Sequence, residues 1–210
     1  MLDLAVKMSK VKDSEHVLDI GCGTGLTSLK FLQAADCTVH GIDLSQDMLD
    51  IWKHKMEKLD LAGRVTMELG DITNLELEDS IFDIVASTVT LHHIVDKQPV
   101  IDKIYRILKP DGRFILGELD LDSSGDLKDV KRLSYMMDFV KEEVSFALAT
   151  GGVDAFNRMY DNCKKHILRD GEYCISLKMW SELCEKAGFE RIDIAPVGSS
   201  NWRKVLCAEK

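Results

Sequence analysis

Gly21, Gly23 and Gly25 stand at alternate positions directly after the apolar run His16–Ile20 and before a helical stripe. Glycines there let the backbone approach a ligand closely, while the start of the next helix offers unpaired N–H groups. The chemistry this suits is binding of a nucleotide-like molecule. Leu26 holds the place of the last glycine in the dinucleotide fingerprint G-x-G-x-x-G, so the spacing disfavours a nicotinamide enzyme without excluding one. Asp43 closes the next apolar run, where a carboxylate can accept hydrogen bonds from both hydroxyls of a ribose lying over the strand ends. Asp71, in Gly70-Asp71-Ile72, can accept from the exocyclic amine of adenine, with Leu44 and Ile72 as apolar walls; the alternative is a plain helix cap before Ile72.

These residues need a scaffold that brings several strand ends together. From His16 to Leu119 short apolar runs alternate with helical stripes, the pattern of a parallel sheet with crossover helices. The strands expected are His16–Ile20, Cys37–Ile42, Val65 to Leu69, Phe82 to Ala86 and Arg113–Gly117, the last fed by a Pro110-Asp111-Gly112 turn. The helix stripes between them are Leu26, Leu29, Leu32 and Ala35; then Met48, Trp52, Met56 and Leu59, capped by Ser45 and stopped by Gly63; then Ile101, Ile104 and Leu108. Between about Leu121 and Glu172 the pattern is helical alone. Val130, Leu133, Met137, Val140, Val144 and Leu148 predict one stripe and Val153, Phe156, Tyr160, Cys163 and Ile167 another, separated by Thr150-Gly151-Gly152. This is a helical hairpin placed to act as a lid after strand five. A helix capped by Ser176 and ended by Gly188 precedes two last strands, Phe189–Ala195 and Trp202–Ala208, which pair antiparallel for want of a crossover helix.

The 210 residues fit one domain, 1–210, with the insertion at about 121–172. A net charge of −9, from 27 basic against 36 acidic residues, argues against nucleic acid as a partner. The chain has no signal-peptide pattern and no apolar run near the roughly 18 residues a bilayer requires, so a cytoplasmic protein without membrane association is expected. Six cysteines without a C-x-x-C pair suggest small buried hydrophobes, with no metal site. The oligomeric state is left open.

In order, Val17-Leu-Asp-Ile-Gly-Cys-Gly-Thr-Gly25, Gly41-Ile-Asp-Leu-Ser45, Gly70-Asp-Ile72, the segment Phe82 to His93 and Leu108-Lys-Pro-Asp-Gly-Arg-Phe114 resemble the successive motifs of class I S-adenosylmethionine-dependent methyltransferases. The resemblance implies a Rossmann-like α/β fold: seven strands, mostly parallel with the last antiparallel, helices on both faces. It implies S-adenosylmethionine as cofactor and S-adenosylhomocysteine as product. Carried over, Asp19, Gly21, Cys22 and Gly23 line the methionine part, Asp43 and Leu44 the ribose, Asp71 and Ile72 the adenine. Thr88 faces the methionyl amine or the sulfonium, or is a structural hydroxyl.

Methyl transfer is an in-line displacement that asks chiefly for positioning and exclusion of water. Where a proton must leave the acceptor, His92 or His93 is the base expected, a packing or capping role being the alternative. Glu118, at the end of strand five, is placed to orient an amine or hydroxyl. The lid, rich in Met and aromatic residues, suggests a small-molecule substrate. The competing readings are a non-catalytic S-adenosylmethionine-binding protein and an NAD(P)-dependent oxidoreductase.

Overall fold

A computed structural model describes residues 1–126, 128–169 and 171–210. Residues 127 and 170 of the expected lid lie outside the described residues. The chain runs α1 (Leu2–Ser9), β1 (His16–Ile20), α2 (Leu26–Ala34), β2 (Thr38–Asp43), α3 (Gln46–Lys58), β3 (Val65–Leu69), β4 (Phe82–Thr88), α4 (Gln98–Ile107) and β5 (Leu108–Leu119). It continues with α5 (Val130–Lys165), α6 (Leu177–Ala187), β6 (Arg191–Pro196) and β7 (Arg203–Glu209).

The seven strands form one sheet in the order β3-β2-β1-β4-β5-β7-β6. All neighbours are parallel except β7, which runs antiparallel to β5 and β6. This is the expected fold class. Strand order reverses between β1 and β4, where such sheets open a crevice over the carboxyl ends of the strands. Apolar residues cover both faces of the central strands. Phe31, Trp52, Val17 and Ala5 pack beneath α1, α2 and α3, and Ile101, Ile104, Trp180 and Leu206 beneath α4 and α6. Ser45 and Ser176 cap α3 and α6 by accepting from Met48 N and Met179 N, and Gly188, with φ 110°, ends α6. No helix among the described residues is long and apolar enough to cross a membrane.

Several expected faces are displaced. In α2, Leu26 is exposed whereas Thr27, Ser28, Phe31 and Leu32 are buried. The hydroxyls of Thr27 and Ser28 have partners inside, Thr88 and Asp19, which makes polar positions part of the core face. Met48 and Leu59 are also exposed, and α3 ends before Gly63, with Asp60 at φ 58°. The Pro110-Asp111-Gly112 turn lies inside β5 as a bulge: Leu108 faces Phe82, and Arg113 faces Ile84.

The hairpin forms, with Gly152 at φ 68° and ψ −163° as its bend. Its first arm buries Arg132, Met136, Phe139, Val140, Glu143 and Ala147; the predicted stripe members Val130, Leu133, Met137 and Leu148 are exposed. Two charges on the inner face caused the misreading, and both find partners: Arg132 Nε donates to Ser123 O at 2.8 Å, and Glu143 pairs with Arg203. The second arm returns Cys163 and Ile167 against Met136, Phe139 and Val140, leaving Val153 and Tyr160 exposed.

Candidate active site

The glycine loop is tied down by β2. Gly21 N and Cys22 N both donate to Ile42 O, at 2.8 and 3.1 Å. Asp43 then anchors the turn: its Oδ2 accepts from Gly23 N at 2.8 Å and its Oδ1 from Ser45 N at 2.9 Å. Each oxygen keeps a second acceptor site, so the carboxylate is held rigid and can still receive two donors. Beside it a cavity of about 230 Å³ opens, lined by Gly21, Asp43, Leu44, Asp71 and Ile72 together with Thr90, His93 and others. Asp71 is both wall and cap, since its Oδ1 accepts from Thr73 N at 2.8 Å.

Asp19, Cys22, Gly23 and Thr88 do not border this cavity. The Cys22 thiol packs in the core under α1, α2 and α3, where burial pushes its pKa up, so the side chain is unsuited to ligand contact. Thr88 Oγ1 is spent on Thr27 Oγ1 at 2.8 Å. Thr90 takes the cavity position expected of Thr88. A Cβ on Gly21 would lie 2.2 Å from Thr90 Cγ2, so only glycine fits against it.

Asp19 is 1% exposed. Its Oδ2 accepts from Ser28 Oγ at 2.5 Å, whereas Oδ1 is buried without a hydrogen-bond partner among the described residues. Burial pushes the carboxyl up to about 6, from 3.8. A folded-state pKa raised in this way penalises the charged form: the penalty is complete above about 6 and vanishes as pH falls from there toward 3.8. Asp19→Asn should therefore stabilise the unliganded protein by about 2–3 kcal/mol at pH 7.5, from 1.36 kcal/mol per pKa unit, with the gain shrinking on acidification. Urea melts at pH 7.5 and 4.5 check this; equal stability at both would show that no net penalty exists.

The end of β5 and the segment after β4 form a buried ion pair. His92 Nδ1 lies 2.8 Å from Glu118 Oε2, and Glu118 Oε1 accepts from Thr90 N and His92 N at 3.1 and 3.3 Å. Glu118 is fully buried, and its carboxylate ties the Thr90–His93 segment to the end of β5. His92 is buried too, with Nε2 3.6 Å from Glu172 Oε2. His93 alone of the two histidines borders the cavity.

Burial works against the His92 charge, but Glu118, by hydrogen bond and charge, wins and raises its pKa above 6.5. Burial and the neighbouring His92 lower that of His93. The His92 contribution to stability is thus complete below pH 6.5 and lost as pH rises through the raised folded-state value. Glu118→Gln should cost about 1.5 kcal/mol at pH 6, the deficit narrowing toward pH 8.5. A deficit independent of pH, in urea melts, would contradict the pairing.

Sequence reading missed Thr90 and Glu172. Glu172 sits at φ 52° in a short turn after α5, and it carries no local motif. With His92 and His93 it brings three atoms of metal-ligand type within 4.8 Å of one another, although no metal pattern is evident in the sequence.

The fold and its crevice define a Rossmann-like domain of the kind that holds a nucleoside. Residues 11–188 match the model of the family described as methyltransferase domain, and the chain belongs to that family. Among curated relatives it is 33% identical over 118 residues to the 27-O-demethylrifamycin SV methyltransferase of Amycolatopsis mediterranei, covering 56% of this chain and 43% of the relative. It is 29% identical over 191 residues to the demethylmenaquinone methyltransferase of Lactobacillus johnsonii, covering 90% and 73%. The chain thus spans less than half the length of the rifamycin relative. Phosphoethanolamine N-methyltransferase 2 of Haemonchus contortus, solved in complex with S-adenosyl-L-methionine, superposes with a TM-score of 0.69 at 22% identity, covering 99% of this chain and 52% of that one. At that identity the likeness concerns the fold.

Proposed function

We propose that the chain transfers a methyl group from S-adenosylmethionine to a small-molecule acceptor. The observation that carries this is the crevice at the carboxyl ends of β1 to β4, where Gly21, Asp43, Asp71 and Ile72 wall one cavity in a member of the methyltransferase domain family. Two relatives are named for the methylation of small molecules, a rifamycin and a demethylmenaquinone, which supports the same acceptor class here.

The residues present suit the cofactor. Asp43 receives the ribose hydroxyls on its two remaining acceptor sites. Asp71 receives the adenine amine, and Leu44 and Ile72 cover the base. Asp19 does not line the cavity, but the cationic amine of the methionine part, if brought to its unpartnered Oδ1, would offset the buried negative charge. Bound there, S-adenosylmethionine supplies a methyl carbon activated by a positive sulfur. The protein orients the acceptor for in-line attack and excludes water. His93, with its pKa held below 6.5, is neutral at pH 7 and fit to accept a proton that the acceptor releases.

Incubation with methyl-labelled S-adenosylmethionine and a panel of phenols, amines, thiols and quinone precursors should yield S-adenosylhomocysteine and a labelled product. Persistent silence despite tight S-adenosylhomocysteine binding would favour a cofactor-binding protein without activity. Thermal stabilisation by NAD or NADP alone would overturn the reading altogether.

A further inference from the structure

A second cavity, of about 550 Å³, opens at the root of the lid. It shares no wall residue with the cofactor crevice, although Ile94 of one and Val95 of the other are chain neighbours. Its size falls in the range of small-molecule sites. One wall is Arg132, in the first turn of α5 and only 7% exposed. Its Nε donates to Ser123 O, but Nη1 and Nη2 are both buried without a hydrogen-bond partner among the described residues.

A guanidinium cannot escape burial by losing its proton. A buried charge is retained only where something compensates it. The compensating group must be an anion, and the two free nitrogens match the two oxygens of a carboxylate or phosphate. Lys97, also buried, adds a positive charge to the same wall while its ammonium braces the carbonyls of Ile94 and Tyr173 at 2.5 and 2.8 Å. The one carboxylate of the lining, Asp96, is exposed and forms no ion pair with Arg132 among the described residues. Val95, Ile175 and Leu183 supply an apolar part of the wall.

We propose that this cavity is an oxyanion site for a small organic acid, with the carboxylate or phosphate on Arg132 and the apolar body against Val95, Ile175 and Leu183. The site stands apart from the crevice assigned to the methyl donor.

Calorimetric titration of the whole chain with benzoate, phenyl phosphate and benzamide at constant ionic strength tests it. At least one anion should bind about tenfold or more tightly than benzamide, as expected when a charge-assisted bidentate pair is gained. Benzoate alone identifies a carboxylate ligand, phenyl phosphate alone a phosphate ligand. Arg132→Gln should abolish the preference and leave S-adenosylhomocysteine affinity unchanged. Equal binding of benzamide and the anions, or no binding of either anion, overturns the proposal. The comparison of benzoate with benzamide uses the unmutated protein, so it decides even where Arg132→Gln fails to fold.

Discussion

Asp43→Ala should weaken binding of S-adenosylhomocysteine by about 10²–10⁴-fold, because each of two lost charge-assisted hydrogen bonds is worth about 1.5–3 kcal/mol and each 1.4 kcal/mol is a factor of ten. The effect has two sources in one side chain. Asp43 presents its remaining acceptor sites to the crevice, and it also fixes the backbone at Gly23 and Ser45. Alanine removes the ligand contacts and releases the turn that shapes the site. Asp43→Asn separates the two, since its amide keeps one acceptor oxygen for Gly23 or Ser45 and loses the charge. It should fall between wild type and Asp43→Ala. Calorimetry at pH 7.5 reads both variants, and unchanged affinity in Asp43→Ala would refute the ribose assignment.

Gly25→Ala should destabilise the protein by about 2–5 kcal/mol, the sum of a left-handed backbone for a residue with a Cβ, about 1–2 kcal/mol, and core overpacking, about 1–3 kcal/mol. Gly25 sits at φ 76° at the start of α2, and a Cβ there would lie 1.9 Å from Trp52 Cδ1. The indole has nowhere to retreat. It is completely buried, and its far edge is pressed against Gly41, whose added Cβ would lie 2.1 Å from Trp52 Cζ3. One ring thus locks the loop, α3 and β2 together. Replacing it by leucine in Gly25→Ala/Trp52→Leu should recover part of the loss, the left-handed penalty remaining. Urea denaturation measures this, and a loss below about 1 kcal/mol would show that the ring can shift.

The sheet and the adenosine side of the crevice were legible in the sequence because both depend on short-range features. Strand runs, glycine turns and acidic residues at strand ends are local, and they brought Gly21, Asp43, Leu44, Asp71 and Ile72 to one cavity. The failures are residues whose environment is set by distant partners. Hydropathy assigned Leu26 and Leu133 to the core, yet the inner faces carry Thr27, Ser28 and Glu143, each paired with a group on another element, and Arg132, of which Nε alone has a hydrogen-bond partner among the described residues. Thr90 rather than Thr88 borders the cavity, and between them Val89 adopts φ 54°, a conformation β-branched residues rarely take and no sequence signal announces. Glu118 was read as open to an acceptor because its partner, His92, comes from the turn after the neighbouring strand β4, 26 residues away in sequence. Arg132, with Lys128 and Lys131, reads from the sequence as part of a solvated helix face, because a charged residue among lysines and acids ordinarily faces water.

The most direct test of the account is a crystal structure with S-adenosylhomocysteine bound. The ribose hydroxyls should lie on the Asp43 carboxylate, the adenine amine on Asp71 between Leu44 and Ile72, and the methionyl amine at Asp19. A ligand bound elsewhere, or a ribose turned away from Asp43, would contradict it.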